Sequence, residues 1–269
     1  MPTVSANGIT INYLLEGDGP ETVVLVNGLA DELETWDGQV PALLEAGYRV
    51  LRFDNRGIGK SSVPQGPYTS RLHADDTKAL VDHLGLTDFH LVGTSMGGMI
   101  AQEYALAYGS DLRSLTLSCT YAAPGPYSTR MFRLWEEMAP VNGIPFIMRD
   151  VVLRAFTVPF FTERSAELPQ FEQASAFMEM SVEAYLAQLN VILTHDTRDR
   201  LGEIAVPTLV QAGEEDIIIP VSLSQELHTR VAGAEWRTTR GGHACLWEFP
   251  EEFNVALLDF LGRQRKTAG

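Results

Sequence analysis

Residues 89–98 carry the sequence Phe-His-Leu-Val-Gly-Thr-Ser-Met-Gly-Gly, and this stretch decides the fold. Its apolar start is typical of a buried strand, and the residues after Ser95 are typical of a helix. A serine at a sharp strand-to-helix turn is open to a base on one side and to a substrate on the other. Gly93 and Gly97 stand where side chains would collide with their neighbours, and Ser95 is expected at positive φ. We therefore predict that Ser95 is a nucleophile.

The composition fits one enzyme-sized globular domain. The chain has 269 residues, of which 45% are hydrophobic, and a chain of this length buries about three quarters of its unfolded surface. The formal net charge of −15 argues against nucleic acid and against an anionic membrane surface as partners. The N-terminus lacks the basic and apolar parts of a signal peptide, and no apolar run is long enough to span a bilayer. With only two cysteines, which favour a reducing compartment, we expect a cytoplasmic protein.

Short β-rich runs alternate with helical patterns, which predicts an α/β fold: a mostly parallel, doubly wound sheet of about eight strands with helices on both faces. The first two strands are expected to form an antiparallel edge through Asn7-Gly8. The strand candidates are residues 9–15, 22–26, 48–53, 89–92, 114–118, 207–211 and 235–239. The helix candidates are residues 69–84, 97–108, 221–231 and 250–261.

Residues 121–203 interrupt the alternation, because they contain no convincing strand and many apolar side chains. We expect them to form a helical lid inserted into a core made of residues 1–120 and 204–269. Most aromatic and methionine residues of the lid, Phe177 and Met178 among them, are expected in its own small core, while some line a substrate pocket. The pocket candidates are Trp135, Met138, Phe146 and Phe160 from the lid and Asn27 and Leu246 from the core.

A serine hydroxyl needs a base at neutral pH, and the usual base is a histidine held by a carboxylate. The chain has six histidines. His243 alone follows the last strand in a Gly-rich loop, and ligands bind at this end of parallel strands. His73 and His83 are expected on the surface of a helix. The sequence therefore predicts His243 as the base.

The acid that orients the histidine should follow a strand between Ser95 and His243. The turn after the strand at 207–211 supplies three carboxylates. Asp216 lies at the far end of this turn, whereas Glu214 and Glu215 are expected to be solvated. We therefore predict Asp216 as the acid.

These pieces resemble the α/β-hydrolase superfamily over nearly the whole chain. The matching segments are residues 26–29, 53–61, 93–98, 213–216 and 241–243, and the order Ser, Asp, His is that of the family. The resemblance implies that the backbone N–H groups of Leu29 and Met96 bind the oxyanion. Asn27 stands where the family usually has a histidine, so the hydrogen bonds that support this loop must differ.

Within the superfamily the chain is similar to 3-oxoadipate enol-lactonase-like hydrolases, on the segments 27–29, 36–37, 66–69 and 95–99. The resemblance implies a dianionic substrate for that group, whereas the lid of this chain is apolar. Four lid arginines are expected in surface ion pairs rather than on a substrate carboxylate. They are Arg130, Arg133, Arg149 and Arg154.

The predicted activity is hydrolysis of a carboxylic ester or lactone by Ser95, His243 and Asp216. Two other activities could use the same residues: carbon–carbon bond hydrolysis of ring-cleavage products and cofactor-free perhydrolysis. A ligand sensor of the same fold is a further alternative from another class. No metal is expected, because no Cys/His cluster has ligand spacing, and no cofactor is expected either. The expected partner is a small ester or lactone, and assembly into a homo-oligomer stays open.

Overall fold

Eight strands form one sheet in the computed structural model, which describes residues 1–176 and 180–265. The strands are β1 Thr3–Ala6, β2 Ile9–Glu16, β3 Glu21–Val26, β4 Tyr48–Phe53, β5 Phe89–Thr94, β6 Leu112–Ser118, β7 Thr208–Gly213 and β8 Glu235–Thr239. Their order across the sheet is β1-β2-β4-β3-β5-β6-β7-β8. The pairs β1·β2 and β2·β4 are antiparallel, and the other five neighbouring pairs are parallel. The predicted mostly parallel sheet is confirmed.

Helices cover both faces of this sheet. They are α1 Val40–Glu45, α2 Ser70–His83, α3 Met96–Tyr108, α4 Pro126–Asn142, α5 Ile144–Ala155, α6 Val158–Glu163, α7 Leu168–Ala176, α8 Val182–Thr194, α9 Val221–Arg230, α10 Cys245–Glu248 and α11 Pro250–Arg263. Successive strand residues point to opposite faces, so Val23 and Leu25 pack in one core cluster and Val24 and Val26 in another. The fold is therefore doubly wound, as predicted.

The antiparallel edge differs in one respect from the sequence prediction. Asn7 and Gly8 form the turn, with φ of 46° and 75°, which suits a tight hairpin. They join β2 to β1, a four-residue strand that is too short to give a clear pattern. The strand predicted at 22–26 is not part of this edge, because β3 lies between β4 and β5 in the centre of the sheet.

Among the described residues, the helices α4 to α8 lie between β6 and β7. Together these helices form the cap. Phe177 and Met178, which were predicted to be part of the apolar core of this segment, lie outside the described residues. Within residues 1–176 and 180–265, no helix combines the length and the apolar character that a membrane crossing requires.

Candidate active site

Ser95 lies in the turn between β5 and α3 with a strained backbone, at φ 54° and ψ −120°. The two flanking glycines make this turn sterically possible. A Cβ on Gly93 would lie 2.2 Å from the carbonyl oxygen of Gly97, and a Cβ on Gly97 would lie 2.1 Å from that of Val26. Both contacts are with backbone atoms that cannot move aside. The predicted glycine requirement and the positive φ of the serine are both present.

Ser95, His243 and Asp216 form a continuous chain of hydrogen bonds. The Oγ atom of Ser95 lies 3.0 Å from Nε2 of His243, and Nδ1 of His243 lies 2.7 Å from Oδ2 of Asp216. The other carboxylate oxygen of Asp216, Oδ1, accepts the backbone N–H groups of Ile218 and Ile219 at 2.9 and 2.8 Å. The structure thus brings together the three residues that the sequence analysis selected. Their geometry is that of a nucleophile, a base and an orienting acid.

Two opposing effects act on the imidazole of His243. Burial disfavours the charged ring and lowers its pKa, but the charge of Asp216 and its hydrogen bond act in the other direction and prevail. Together with smaller contributions from Cys119 and Asp31, they raise the pKa of His243 from 6.5 to about 9. The charged imidazolium form of His243 is therefore strongly stabilised.

Leu29 and Met96, whose backbone N–H groups were predicted to bind the oxyanion, both lie near Ser95. Leu29 follows β3 and lines the cavity beside Ser95, and Met96 is the first residue of α3. Within the described part of the chain, neither N–H group donates to a protein acceptor. Two unused donors beside a serine, one of them at the positive end of a helix, suit a developing oxyanion.

A cap residue that the sequence analysis missed fixes the loop that follows β3. Ala30 lies at φ 59°, which is unfavourable for a residue with a Cβ. Its N–H donates to Oε1 of Gln188 at 2.9 Å, and Nε2 of Gln188 donates to the carbonyl oxygen of Arg56 at 2.8 Å. Gln188 belongs to α8 and is fully buried. It therefore couples the cap to the loop that carries the Leu29 donor.

Asn27 stands where the resemblance to the α/β-hydrolase superfamily predicts a histidine. Its side chain supports the loop that follows β3. Its Oδ1 accepts the indole N–H of Trp36 at 2.8 Å, and its Nδ2 donates to the carbonyl oxygens of Phe53 and Asp31 at 2.8 and 3.3 Å. The side chain is fully buried. Asn27 was predicted as a pocket residue, but these contacts make it a brace inside the core.

The loop that carries His243 is fixed by a buried carboxylate, which sequence reasoning also missed. Oε2 of Glu248 accepts the N–H of Gly242 at 2.7 Å, and its Oε1 accepts the N–H and the hydroxyl of Thr157 at 3.0 and 2.6 Å. The N–H of Ala244 donates to the carbonyl oxygen of Ala155 at 2.9 Å. These links run to Ala155 at the end of α5 and to Thr157 just before α6, so the cap holds the His243 loop as well as the loop that follows β3.

The cavity above Ser95 is mostly apolar. Two of the six predicted pocket residues, Trp135 and Leu246, line it. The lining residues are Leu29, Asp31, Thr94, Ser95, Phe132, Trp135, Met148, Val151, Ala155, Ile192, Ile218, His243, Ala244, Leu246 and Trp247. Among these described residues there is no lysine or arginine. The cavity therefore suits an uncharged acyl or alkyl group better than a dianion.

Three predicted pocket residues from the cap lie elsewhere. Phe146 is exposed on α5, whereas its neighbours Ile147 and Met148 are buried. Phe160 is buried within the cap, where its ring stacks on that of Phe156 with centroids 4.3 Å apart. Met138 is half-buried against the core and does not line the cavity. Helical periodicity does not distinguish these environments.

The other histidines have structural contacts. His73 was predicted on the surface but is buried, because its ring packs edge-on against Tyr68. His195 forms a second serine–histidine pair, with Nδ1 2.9 Å from Oγ of Ser70. Its Nε2 faces the neutral amide of Gln102 rather than a carboxylate, and burial lowers its pKa to about 3. This pair does not line the cavity.

One group of side chains near the base has the donor types of a metal site. Ligand atoms of Cys119, Asp216 and His243 lie within 4.8 Å of one another. Both ring nitrogens of His243 are already engaged, with Asp216 and Ser95. Cys119 and Cys245 are buried free thiols with sulfur atoms 3.6 Å apart. The contacts of these residues are those of packing around the base.

The family model of the alpha/beta hydrolase fold matches residues 21–250. The chain belongs to this family. As an α/β hydrolase it is similar to a Caulobacter segnis protein provisionally named carbamate hydrolase RutD, with 31% identity over 90% of this chain and 92% of that protein. The enol-lactonase from Burkholderia xenovorans LB400 superposes with a TM-score of 0.90, at 28% identity over 97% of this chain and 100% of the other. An esterase from Thermogutta terrifontis superposes with a TM-score of 0.88, at 26% identity over 98% and 99%. Together these findings support a hydrolase.

Proposed function

We propose that this α/β hydrolase cleaves carboxylic esters or lactones through an acyl-enzyme on Ser95. The observation that carries the proposal is the hydrogen-bonded chain from Ser95 through His243 to Asp216, at 3.0 and 2.7 Å. Ser95 and His243 also line the mostly apolar cavity described above. Residues 121–203 are proposed to act as the lid of this cavity, since α4, α5 and α8 contribute to its lining.

In the first half of the reaction, Oγ of Ser95 attacks the carbonyl carbon while Nε2 of His243 takes the hydroxyl proton. Asp216 holds the proton on Nδ1, so that Nε2 is free to accept. The carbonyl oxygen becomes an oxyanion between the N–H groups of Leu29 and Met96. Each such donor is worth roughly 3 kcal/mol in the transition state. The imidazolium then protonates the leaving alkoxide, and the acyl group stays on Ser95.

In the second half, water takes the place of the alcohol. His243 removes a proton from this water, which attacks the acyl carbon and passes through a second oxyanion in the same hole. Collapse of this intermediate returns the proton to Oγ of Ser95 and releases the carboxylic acid. In a lactone the leaving alkoxide belongs to the same molecule, so one hydroxy acid is the product.

The residues that line the cavity limit the classes of substrate that it can bind. A carboxylate-rich substrate would be desolvated among apolar side chains without a lysine or arginine to pair with it, which is costly. Two of the four lid arginines form ion pairs, Arg133 with Glu136 and Arg154 with Asp150, and neither Arg130 nor Arg149 lines the cavity. The relatives named as a lactonase, an esterase and a carbamate hydrolase share attack on an acyl carbon. We therefore propose esters or lactones of small uncharged acids rather than the dianionic enol-lactone.

The test is turnover of 4-nitrophenyl esters of graded chain length and of γ- and δ-lactones by the wild type and Ser95→Ala. The proposal expects turnover with an acyl-enzyme burst in the wild type and none above background in Ser95→Ala. Stoichiometric binding with a rise in melting temperature but no turnover would indicate a ligand sensor and contradict the proposal. Peroxide-dependent turnover alone would favour a perhydrolase.

A further inference from the structure

Asp31 is a carboxyl group in the cavity that the mechanism above does not use. It lines the cavity together with Leu29, Ser95 and His243. A Cβ built on Gly28 would lie 2.6 Å from Oδ2 of Asp31 and 3.5 Å from Cβ of Ser95. The carboxylate of Asp31 and the side chain of Ser95 are thus both close to one point beside Gly28. A substrate whose carbonyl carbon reaches Ser95 must therefore pass close to Asp31.

The carboxyl group of Asp31 lies beside two hydrogen-bond donors but has no lysine or arginine as an ion-pair partner in the described part of the chain. The N–H of Gly28 and the hydroxyl of Thr35 lie close enough to favour its charged form and lower its pKa, and the backbone carbonyl of Asp31 accepts from Asn27 at 3.3 Å. Within residues 1–176 and 180–265, no lysine or arginine forms an ion pair with it. A carboxylate has about four lone-pair sites, so two or more of them stay available to a substrate.

The position of Asp31 lowers the stability of the folded protein when its carboxyl group is ionised. Burial raises its pKa from 3.8 to about 7, although the charge of His243 and the hydrogen bonds from Gly28 and Thr35 act in the opposite direction. Ionisation of Asp31 near neutral pH therefore destabilises the folded protein. The side chain braces no other element of the fold with an ion pair. A costly carboxyl group that faces the reacting atoms is better explained by the substrate than by stability.

We propose that Asp31 determines substrate specificity: its carboxylate accepts a hydrogen bond from a hydroxyl group close to the scissile carbonyl and rejects substrates that carry a carboxylate there. This inference rests on the proposed esterase or lactonase activity. A hydrogen bond to a charged acceptor in a partly desolvated site selects for the donor by about tenfold or more. A second carboxylate beside Asp31, in a cavity without a lining lysine or arginine, meets like-charge repulsion and is disfavoured by a similar or larger factor.

Three ethyl esters of similar size separate these effects: ethyl butyrate, ethyl 3-hydroxybutyrate and monoethyl succinate, assayed in a pH-stat at pH 8. The wild type should favour the hydroxy ester over ethyl butyrate by about tenfold in kcat/KM and disfavour the succinate by at least as much. Asp31→Asn should raise kcat/KM for monoethyl succinate about tenfold relative to ethyl butyrate. Asp31→Leu should abolish the preference for the hydroxy ester.

The matched control is Glu34→Gln, which removes the same charge from an exposed residue three positions further along the chain. It should leave all three kcat/KM values unchanged. If an Asp31 variant does not fold, Asp31→Ser provides a smaller polar side chain for the same comparison. Unchanged ratios in folded Asp31 variants, with activity that still requires Ser95, would overturn this inference and leave the proposed function standing. No turnover of any of the three esters by the wild type would overturn both.

Discussion

Replacing Asp216 by asparagine should disable the base without disturbing the loop around it. Oδ1 of Asp216 accepts two backbone N–H groups, from Ile218 and Ile219. The asparagine must keep its oxygen there, because leaving a buried N–H without an acceptor costs about 1–3 kcal/mol. Its NH₂ group then faces Nδ1 of His243, at a position where the carboxylate oxygen now lies 2.7 Å away. Nδ1 must therefore accept, and the ring proton moves to Nε2.

In that tautomer Nε2 faces Oγ of Ser95 with a proton and cannot accept another. The expected loss is about 10⁴-fold in kcat, equivalent to about 5.5 kcal/mol of transition-state stabilisation. The assay is ester hydrolysis by the wild type and Asp216→Asn in a pH-stat. Glu215→Gln, which removes the same charge from an exposed position in the same turn, is the matched control and should retain full activity. A loss of less than tenfold in Asp216→Asn would refute the tautomer argument.

The pH dependence provides a second readout of the same change. The neutral ring is the base, and its pKa is about 9, so kcat/KM of the wild type should rise with pH and level off near that value. In Asp216→Asn the charge of Asp216 is lost, so burial lowers the pKa of His243 and the rise of kcat/KM with pH moves to lower pH.

The same pair also affects stability. Because the pKa of His243 in the folded protein is raised above 6.5, its pair with Asp216 stabilises the fold fully below pH 6.5 and loses this contribution as the pH rises through about 9. The stability lost in Asp216→Asn should therefore be largest below pH 6.5.

Three further substitutions test the supports of the site. Glu248→Gln places an NH₂ group against the N–H of Gly242, so urea unfolding should show a loss of about 3 kcal/mol. Gln188→Leu removes the acceptor that holds Ala30 at positive φ, and kcat/KM should fall roughly tenfold or more as the oxyanion loop shifts. Gly97→Ala forces a Cβ to 2.1 Å from a backbone carbonyl oxygen of β3; it should prevent recovery of folded protein, measured by circular dichroism.

The three predicted site residues that the structure brings together share one property: each follows the carboxyl end of a strand. Ser95 comes directly after β5, Asp216 follows β7 and His243 follows β8. Parallel strands bring these ends to one edge of the sheet, so chain order and residue type are enough to group them. The glycines of the elbow are equally local, because the atoms that exclude a side chain are backbone atoms of the same turn or of the adjacent strand.

What the sequence did not predict depends on contacts between distant segments. Gln188 reaches Ala30 across 158 positions, and Glu248 reaches Thr157 across 91. Phe160 carries the same apolar signal as Trp135, yet only Trp135 lines the cavity, since the packing of the cap helices decides which face points inward. Asn27 could be singled out from the sequence, but its hydrogen bond with Trp36 was not predicted.

The central claim is that Ser95 is the nucleophile, and covalent labelling tests it most directly. The wild type is incubated with an ethyl 4-nitrophenyl phosphonate, and intact mass and peptide mapping locate the adduct. The account predicts one phosphonyl group per chain, on Ser95, with loss of activity in proportion to labelling, and no adduct in Ser95→Ala. An adduct on another residue, or Ser95→Ala hydrolysing esters as fast as the wild type, would contradict it.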